Sequence, residues 1–319
     1  MRTLITTKGS FHEPNHKTTI NHLERCHEEG FWMDIEAPDE EDFKILAESF
    51  KFHPLTIEDV GNRGQRPKLE DFDGYRFMVL FGSRWTPNDT LVSDEYHLYL
   101  SDDYLVTVHD RPAPALDGLR KRIEESPGIA RGKPDFLTYL VIDTIVDPTF
   151  DALQQLDSKI DGLEDDIVER AEPSQLRQIY SLKHSVTQLR QQLGAERDLF
   201  QRLITGSLSD PTLGVYYRDV YDHVIRQYES VDSLRDLLTG AMDVYLSTVS
   251  NRLNVTMKAL TVIASIFLPI SFLTGFYGMN FAFLTQVLEP PNVAFFIGAG
   301  TMVLATLIQL YFFRRRGWI

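Results

Sequence analysis

Two long uncharged runs follow one another near the C-terminus, and they are the strongest hydrophobic pattern of the chain. No charged residue occurs between Lys258 and Glu289, and residues 259–277 would form a helix long enough to cross about 30 Å of hydrocarbon. A second uncharged run covers residues 293–313. The pattern predicts two transmembrane helices, 259–277 and 293–313, joined by an extracytoplasmic loop, 278–292.

Basic residues indicate the orientation of this predicted membrane hairpin. Arg252, Lys258 and the tail 314–319, which begins with three arginines, flank its two outer ends, whereas the connecting loop has no Lys or Arg. By the positive-inside rule, both termini lie in the cytoplasm. The first ten residues lack the apolar core of a secretory signal. We therefore expect a multi-pass protein of the inner membrane whose soluble part stays cytoplasmic.

One side of the first span carries polar, small and flexible side chains, which is unusual for a surface in contact with lipid. This small-polar stripe follows the helical period and contains Asn254, Met257, Thr261, Ala264, Leu268, Ser271 and Gly275. It is typical either of helix packing through small residues or of a pore lining. Pro269 removes one backbone hydrogen bond from the same span, and a neighbouring helix or a polar lumen can compensate for that loss.

The first part of the chain has the pattern of a sheet. Within residues 31–109, turn residues separate short apolar or alternating runs, such as 77–81, 96–100 and 104–109. Helical patterns at 40–49 and 115–125 interrupt these runs. The combination predicts an α/β sandwich-like cytoplasmic domain over residues 1–133.

From Pro134 onward the apolar positions recur at helical spacing. A long helix and a helical hairpin that turns at Pro173 are predicted within residues 134–211. The two apolar stripes of the hairpin are Leu153, Leu156, Ile160, Leu163 and Ile167, then Leu176, Ile179, Leu182, Val186, Leu189 and Leu193. A third helix should start near Thr212 and continue through a stalk, 212–258, into the first span, because no Gly-Pro break interrupts it.

The net charge and the cysteine content limit which kinds of partner the protein can bind. The net charge of −14 argues against a nucleic-acid partner, which requires clustered Lys and Arg, and makes cations the natural counterpart. The single cysteine, Cys26, permits no intrachain disulfide and argues against a cysteine-based zinc site. An acidic run within residues 161–169 is typical of a solvated helix face, and the alternative is a surface that collects cations.

The segment Tyr277-Gly278-Met279-Asn280-Phe281 ends the first span, and it resembles the Gly-Met-Asn signature of the CorA family of magnesium and cobalt channels. Residues 53–59 and 65–68 are similar to family patterns too, so the resemblance covers most of the chain. It implies a funnel-shaped homopentamer in the lipid bilayer, with the first spans lining one central pore. Mg²⁺ would be both the transported and the regulatory ion. We expect no organic cofactor.

The resemblance assigns Gly278, Met279 and Asn280 to the selectivity mouth. Mg²⁺ gives up its waters reluctantly, so a mouth of neutral oxygens can hold the hydrated ion. The Asn280 carboxamides and the Gly278 carbonyls would supply those oxygens. Ion preference stays open among Mg²⁺, Co²⁺, Ni²⁺ and Zn²⁺, because Glu289 is the only acid in the outer loop, where some family members carry an acidic stretch.

Further roles on the cytoplasmic side follow from the same resemblance. Met257, Leu260 or Thr261, and Leu268 would form an apolar constriction that can close by dewetting, and Asn254 would form a polar ring at its cytoplasmic end. A regulatory Mg²⁺ would lie between neighbouring subunits. Its ligands would include Asp219 and, from a turn with a looser alignment, Asp89.

Three other interpretations are weaker. His12-Glu13-Pro14-Asn15-His16 spells the zinc protease motif H-E-x-x-H, but Pro14 interrupts the helix that the motif requires, so we do not expect an enzyme. A membrane-anchored sensor or scaffold would leave the small-polar stripe without a role. A zinc-transporting branch shares the CorA fold, although Met279 favours the magnesium or cobalt branch.

Overall fold

The alternating apolar runs of the N-terminal part form the strands of one mixed sheet. The computed structural model describes residues 2–6, 11–12, 30–130, 134–205, 214–279 and 291–318. Within these ranges the strands are β1 Arg2–Thr6, β2 Phe11–His12, β3 Phe31–Glu36, β4 Lys68–Phe72, β5 Tyr75–Trp85, β6 Leu91–Leu100 and β7 Tyr104–His109. Their order is β2-β1-β3-β7-β6-β5-β4. The β3–β7 pair is parallel and the other pairs are antiparallel.

The described ranges also contain eight α-helices. These are α1 Glu40–Lys44, α2 Pro54–Gly61, α3 Pro114–Glu125, α4 Pro134–Val146, α5 Pro148–Glu169, α6 Pro173–Thr205, α7 Gly214–Tyr277 and α8 Pro291–Arg315. All except α1 and α7 begin at a proline, whose fixed φ suits the first helical turn. A π-helical turn, Ile45–Ser49, continues α1. The predicted helices at 40–49 and 115–125 are thus confirmed.

Helices cover both faces of the sheet, which confirms the predicted α/β sandwich. On one face, strand residues such as Trp32, Met78 and Leu98 pack against α3 and α4 and against parts of α6 and α7. On the other face, Phe77 and Tyr99 pack against the shorter α1 and α2. Strand side chains therefore reach an apolar core on either side of the sheet.

The predicted helical hairpin is formed by α5 and α6, and α6 begins at Pro173 as expected. Apolar side chains of α5, α6 and α7 form a core of their own. Its buried members are Leu153, Leu156, Ile160, Val186, Leu189, Leu193, Val231, Leu234 and Leu238. The stripe read from the sequence on each helix of the hairpin supplies part of this core.

Helix α7 is continuous from Gly214 to Tyr277, as predicted from the absence of a Gly-Pro break. The contacts divide the chain into two units, one of residues 1–166 and 172–242 and the other of residues 167–171 and 243–319. Both α7 and α8 contain an apolar stretch long enough to cross a membrane, and each stretch is mostly exposed within the chain.

Strand β5 is longer than its neighbour β4, and side chains from the helices complete its free edge. The pairing with β4 ends at Val79. Beyond it, the N–H of Phe81 donates to the carboxyl of Glu196 on α6 at 2.8 Å, and the N–H of Ser83 donates to the hydroxyl of Thr149 on α5 at 3.1 Å. Between them, the carbonyl oxygen of Ile145 packs directly against Gly82. A Cβ at position 82 would lie only 2.7 Å from that oxygen, so a side chain there would clash. The helices thereby replace a missing strand.

Glu196 is almost completely buried, and burial raises the pKa of its carboxyl to about 8 although the bond from Phe81 acts in the opposite direction. The ordinary pKa of a glutamic acid is 4.5. The folded protein therefore holds the Glu196 proton more tightly than the unfolded chain does. The stability that this difference contributes is fully present below pH 4.5 and is lost as the pH rises to about 8.

We expect Glu196→Gln to raise the melting temperature of the detergent-solubilised protein at neutral pH. Glutamine keeps an acceptor for the Phe81 N–H and has no proton to lose. The stability difference between parent and variant should grow with pH by up to about 1.4 kcal/mol for each pH unit across this interval. Thermal unfolding from pH 5 to pH 8 measures it, and Glu229→Gln on an exposed site is the control. Identical pH profiles for parent and Glu196→Gln would contradict the assignment.

Candidate cation pathway and metal-binding cluster

The two apolar helices at the C-terminus contact each other through defined polar groups. The Gln309 side-chain nitrogen donates to the backbone oxygen of Ser265 at 2.9 Å, and the Thr301 hydroxyl lies 3.4 Å from the Tyr277 hydroxyl. The ring of Tyr277 also packs beside Gly298, where an added Cβ would be 3.5 Å from it. On α7 these contacts involve Ser265 and Tyr277, neither of which belongs to the small-polar stripe.

The small-polar stripe occupies another face of α7 and is exposed along its length. Leu268 is 72% exposed and Met257 is 59% exposed. The remaining members, together with Leu260, are exposed as well: Asn254, Thr261, Ala264, Ser271 and Gly275. The Thr261 hydroxyl donates to the Met257 carbonyl at 2.7 Å, so its lone pairs remain available as acceptors on this face.

The predicted selectivity mouth begins where α7 ends. The N–H of Gly278 donates to the Thr274 carbonyl at 2.9 Å, and the N–H of Met279 donates to the Phe276 carbonyl at 3.2 Å. A Cβ at position 278 would lie 3.1 Å from that Thr274 oxygen, so glycine suits this tight helix end. Asn280 and the outer loop through residue 290 lie outside the described residues.

Asp219 belongs to a group of acidic and histidine side chains that come from α4, from the residue directly after α4, and from α7. Ligand atoms of Asp143, Asp219 and His223 all lie within 4.8 Å of one another. His223 Nδ1 is 3.0 Å from a carboxylate oxygen of Asp147, and His223 Nε2 is 3.9 Å from a carboxylate oxygen of Asp219. We call these four residues the Asp–His cluster. His223 also packs edge-on against the ring of Phe150, at a centroid distance of 5.6 Å.

Asp143 contributes a buried carboxylate oxygen to the Asp–His cluster. Its Oδ1 is buried and has no hydrogen-bond partner among the described residues. Burial and the neighbouring charge of Asp147 raise the pKa of its carboxyl to about 6, against the opposing influence of His223. His223 Nδ1 lies 3.9 Å from Asp143 Oδ1, beyond hydrogen-bond distance. A buried carboxylate oxygen without a hydrogen-bond donor suits a bound cation, because a metal ion would stabilise its charge in place of the donor.

The donor set of the Asp–His cluster fits a divalent metal ion. Carboxylate oxygens are typical Mg²⁺ ligands, and an imidazole nitrogen adds affinity for Co²⁺, Ni²⁺ and Zn²⁺. Sequence reasoning selected Asp219 alone and missed Asp143, Asp147 and His223 as partners. The available signal was the pair Asp143 and Asp147, which are four residues apart, near and just after the end of the largely apolar α4.

Asp89, the second predicted ligand, is not part of the Asp–His cluster of its own chain. It lies in the turn between β5 and β6 with a positive φ of 58°. Its carboxylate pairs with Lys159 of α5 at 2.6 Å, and the same ammonium group lies 4.8 Å from the Trp85 ring centroid. The ammonium group of Lys159 therefore already neutralises the Asp89 carboxylate within the chain. A bridge between subunits through Asp89 stays a prediction.

The remaining candidate residues lie outside both the small-polar stripe with its mouth and the Asp–His cluster. The acidic side chains of the 161–169 run are exposed except for the partly exposed Glu164, as a solvated face requires. His12 of the H-E-x-x-H motif is in strand β2, whereas a zinc protease needs it on a helix. The remainder of that motif and Cys26 lie outside the described residues.

Comparison with known proteins agrees with this geometry. Residues 27–315 match the family model described as CorA-like Mg²⁺ transporter protein. The cobalt/magnesium transport protein CorA of Thermotoga maritima is 34% identical over 278 residues, which cover 86% of this chain and 79% of that protein. The putative metal ion transporter YfjQ of Bacillus subtilis is 29% identical over 318 residues, which cover 99% of this chain and 97% of that protein.

The fold is shared with a solved structure of the same kind. The complete CorA magnesium transporter from Methanocaldococcus jannaschii superposes with a TM-score of 0.81 at 24% identity, covering 91% of this chain and 92% of that one. The family match spans both the α/β part and the two C-terminal apolar helices. The chain therefore belongs to the CorA-like Mg²⁺ transporter family and is a membrane transporter of divalent metal ions, not an enzyme.

Proposed function

We propose that five copies of this chain form one central pore that conducts Mg²⁺, with Co²⁺ and Ni²⁺ as further candidate ions. The observation that carries the proposal is the small-polar stripe of α7, which is exposed and lies on a different face from the contacts with α8. Two helices cannot enclose a water-filled path, so a pore requires several copies around an axis. A stripe of small and polar groups facing that axis then has a function that lipid contact would not give it.

Each part of the proposed pore has a separate task. Asn280 and the carbonyl of Gly278 form the mouth, where neutral oxygens bind the hydrated ion weakly enough to release it. Met257, Leu260 or Thr261, and Leu268 form the apolar constriction below it. Water leaves a narrow apolar segment readily, so this constriction closes the pore without a moving lid.

The Asp–His cluster is the proposed regulatory site. Bound Mg²⁺ neutralises carboxylates that otherwise repel one another, and an acid of the neighbouring subunit completes the site. An ion that binds the closed ring more tightly than the open one shifts the population toward the closed state. High cytoplasmic Mg²⁺ thus stops its own entry.

The orientation follows from charge. Arg314 and Arg315 in the last turn of α8, followed by Arg316, support a cytoplasmic C-terminus by the positive-inside rule. The soluble part then lies on the same side, with its acidic surface facing the cytoplasmic ion pool. The proposed location is the inner membrane.

Ion flux into liposomes tests the proposal, with purified protein and one ion at a time. We expect saturable Mg²⁺ uptake, and Co²⁺ and Ni²⁺ should compete with it. Uptake of Zn²⁺ without Mg²⁺ would instead support the zinc-transporting alternative. Absence of flux for all four ions from correctly assembled protein would favour a membrane-anchored sensor or scaffold.

We expect Leu268→Asp to raise Mg²⁺ leak under closing conditions. A carboxylate in the constriction holds water where the leucine excludes it, so dewetting no longer closes the pore. Leu268→Met, which keeps an apolar side chain of similar volume, is the matched control and should behave as the parent. Flux at high internal Mg²⁺ is the measurement. An unchanged leak in Leu268→Asp would show that this face of α7 does not line the pore.

A further inference from the structure

A proline interrupts the hydrogen bonds of α7 inside its membrane-spanning part. Pro269 has no N–H, so the carbonyl of Ser265, four residues earlier, loses its helical donor. In hydrocarbon there is no water to replace that donor, and an unpaired carbonyl is costly. A group from elsewhere must satisfy it.

Helix α8 supplies that group. The side-chain nitrogen of Gln309 donates to the Ser265 carbonyl oxygen at 2.9 Å. A carbonyl can only accept, so the amide must present its NH₂ group to Ser265. The residues around Gln309 are apolar, including Ile308 and Leu310. A polar amide within a membrane span is expensive, and such residues usually have a function.

We infer that Gln309 is a positioning residue for the pore helix, and this inference rests on the proposed pore lining by α7. Its amide takes the place of the missing Pro269 N–H and holds the backbone of α7 in one conformation next to Leu268. That backbone conformation determines where the Leu268 side chain points, and hence how tightly the apolar constriction closes. Pro269 makes α7 deformable at this point, and the Gln309 bond selects one conformation.

The second polar atom of Gln309 supports a specific role. Its Oε1 is buried and finds no hydrogen-bond partner among the described residues. Methionine or leucine would fill similar space without a buried polar atom that lacks a hydrogen bond, and so at a lower cost in free energy. Packing alone therefore does not explain an amide at this position. The bond to Ser265 is the contact that only the amide provides.

A double-mutant cycle in liposomes tests the inference. We expect Gln309→Met to raise Mg²⁺ leak under closing conditions by about three- to tenfold, the range that membrane hydrogen bonds support. Pro269→Ala restores the backbone N–H, so Gln309→Met should have no further effect in that background. Thr306→Val is the matched control, since the Thr306 hydroxyl bonds within its own helix, to the Met302 carbonyl at 2.9 Å.

The outcomes separate this inference from the proposed function. Equal effects of Gln309→Met with and without Pro269 would overturn it, because the two residues would then act independently. A leak in Leu268→Asp with none in Gln309→Met would likewise overturn it while leaving the pore lining intact. If Gln309→Met fails to assemble, the Pro269→Ala, Gln309→Met double variant should assemble normally, and failure of that rescue would also overturn it.

Discussion

Replacing Asn280 with alanine is expected to reduce Mg²⁺ uptake to the background of empty liposomes. The carboxamide ring is the proposed first binding site for the hydrated ion, and without it the mouth offers no side-chain acceptor. Gly278→Ala should have a similar effect, because a Cβ at this position approaches the Thr274 carbonyl to 3.1 Å at the end of α7. Uptake of Mg²⁺, followed with a dye inside the liposomes, is the measurement.

Two further variants sharpen this experiment. Asn280→Asp keeps the shape but adds a charge, so we expect tighter ion binding with slower release. Gly118→Ala in α3, where an added Cβ meets nothing within 4 Å, is the matched control for adding a methyl group and should transport normally. Parental flux in Asn280→Ala or Gly278→Ala would remove the Gly-Met-Asn segment from the mechanism.

The second large effect concerns regulation. Asp219→Ala should conduct Mg²⁺ but need about five- to tenfold more internal Mg²⁺ for inhibition, a size typical of coupling between two sites. We also expect millimolar Mg²⁺ to protect the soluble part of the parent from proteolysis, and Asp219→Ala should lose that protection. Asp143→Asn should shift inhibition in the same direction, since it removes charge from the buried oxygen of the Asp–His cluster.

Asp222→Ala is the control for the loss of a carboxylate from α7. It is exposed one turn from Asp219 and lies outside the Asp–His cluster, so its inhibition by Mg²⁺ should match the parent. Asp89→Ala is a weaker test, because Lys159 already neutralises that carboxylate. If Asp219→Ala is inhibited like the parent, the Asp–His cluster is not the sensor, and the acidic run 161–169 becomes the next candidate.

Periodicity accounts for the features that could be predicted from the sequence. The apolar stripes of α5 and α6, the alternating runs of β5 to β7 and the long helix ending at Tyr277 all repeat a local rule over many residues. The membrane spans were predictable for the same reason, since their length and lack of charge are local properties.

Partners distant in the sequence could not be predicted in this way. Asp143 and Asp219 come from helices separated by a hairpin, and no local pattern links them. Gln309 and Ser265 are 44 residues apart, and only the packing of α8 on α7 joins them. From the sequence, Pro269 showed that some donor was required, but it did not show which residue supplied it.

The edge of β5 has a consequence for how the chain is made. The partner of the Phe81 N–H, Glu196, is 115 residues further along the chain, and the partner of the Ser83 N–H, Thr149, is 66 residues further along. During synthesis from the N-terminus, the sheet is therefore available before the residues that close its edge. Until α6 has emerged from the ribosome, the end of β5 offers unpaired N–H groups to any other extended chain. A fragment that stops before Glu196 would leave the Phe81 N–H without this partner, so the α/β part depends on α6 to prevent non-native strand pairing at this edge.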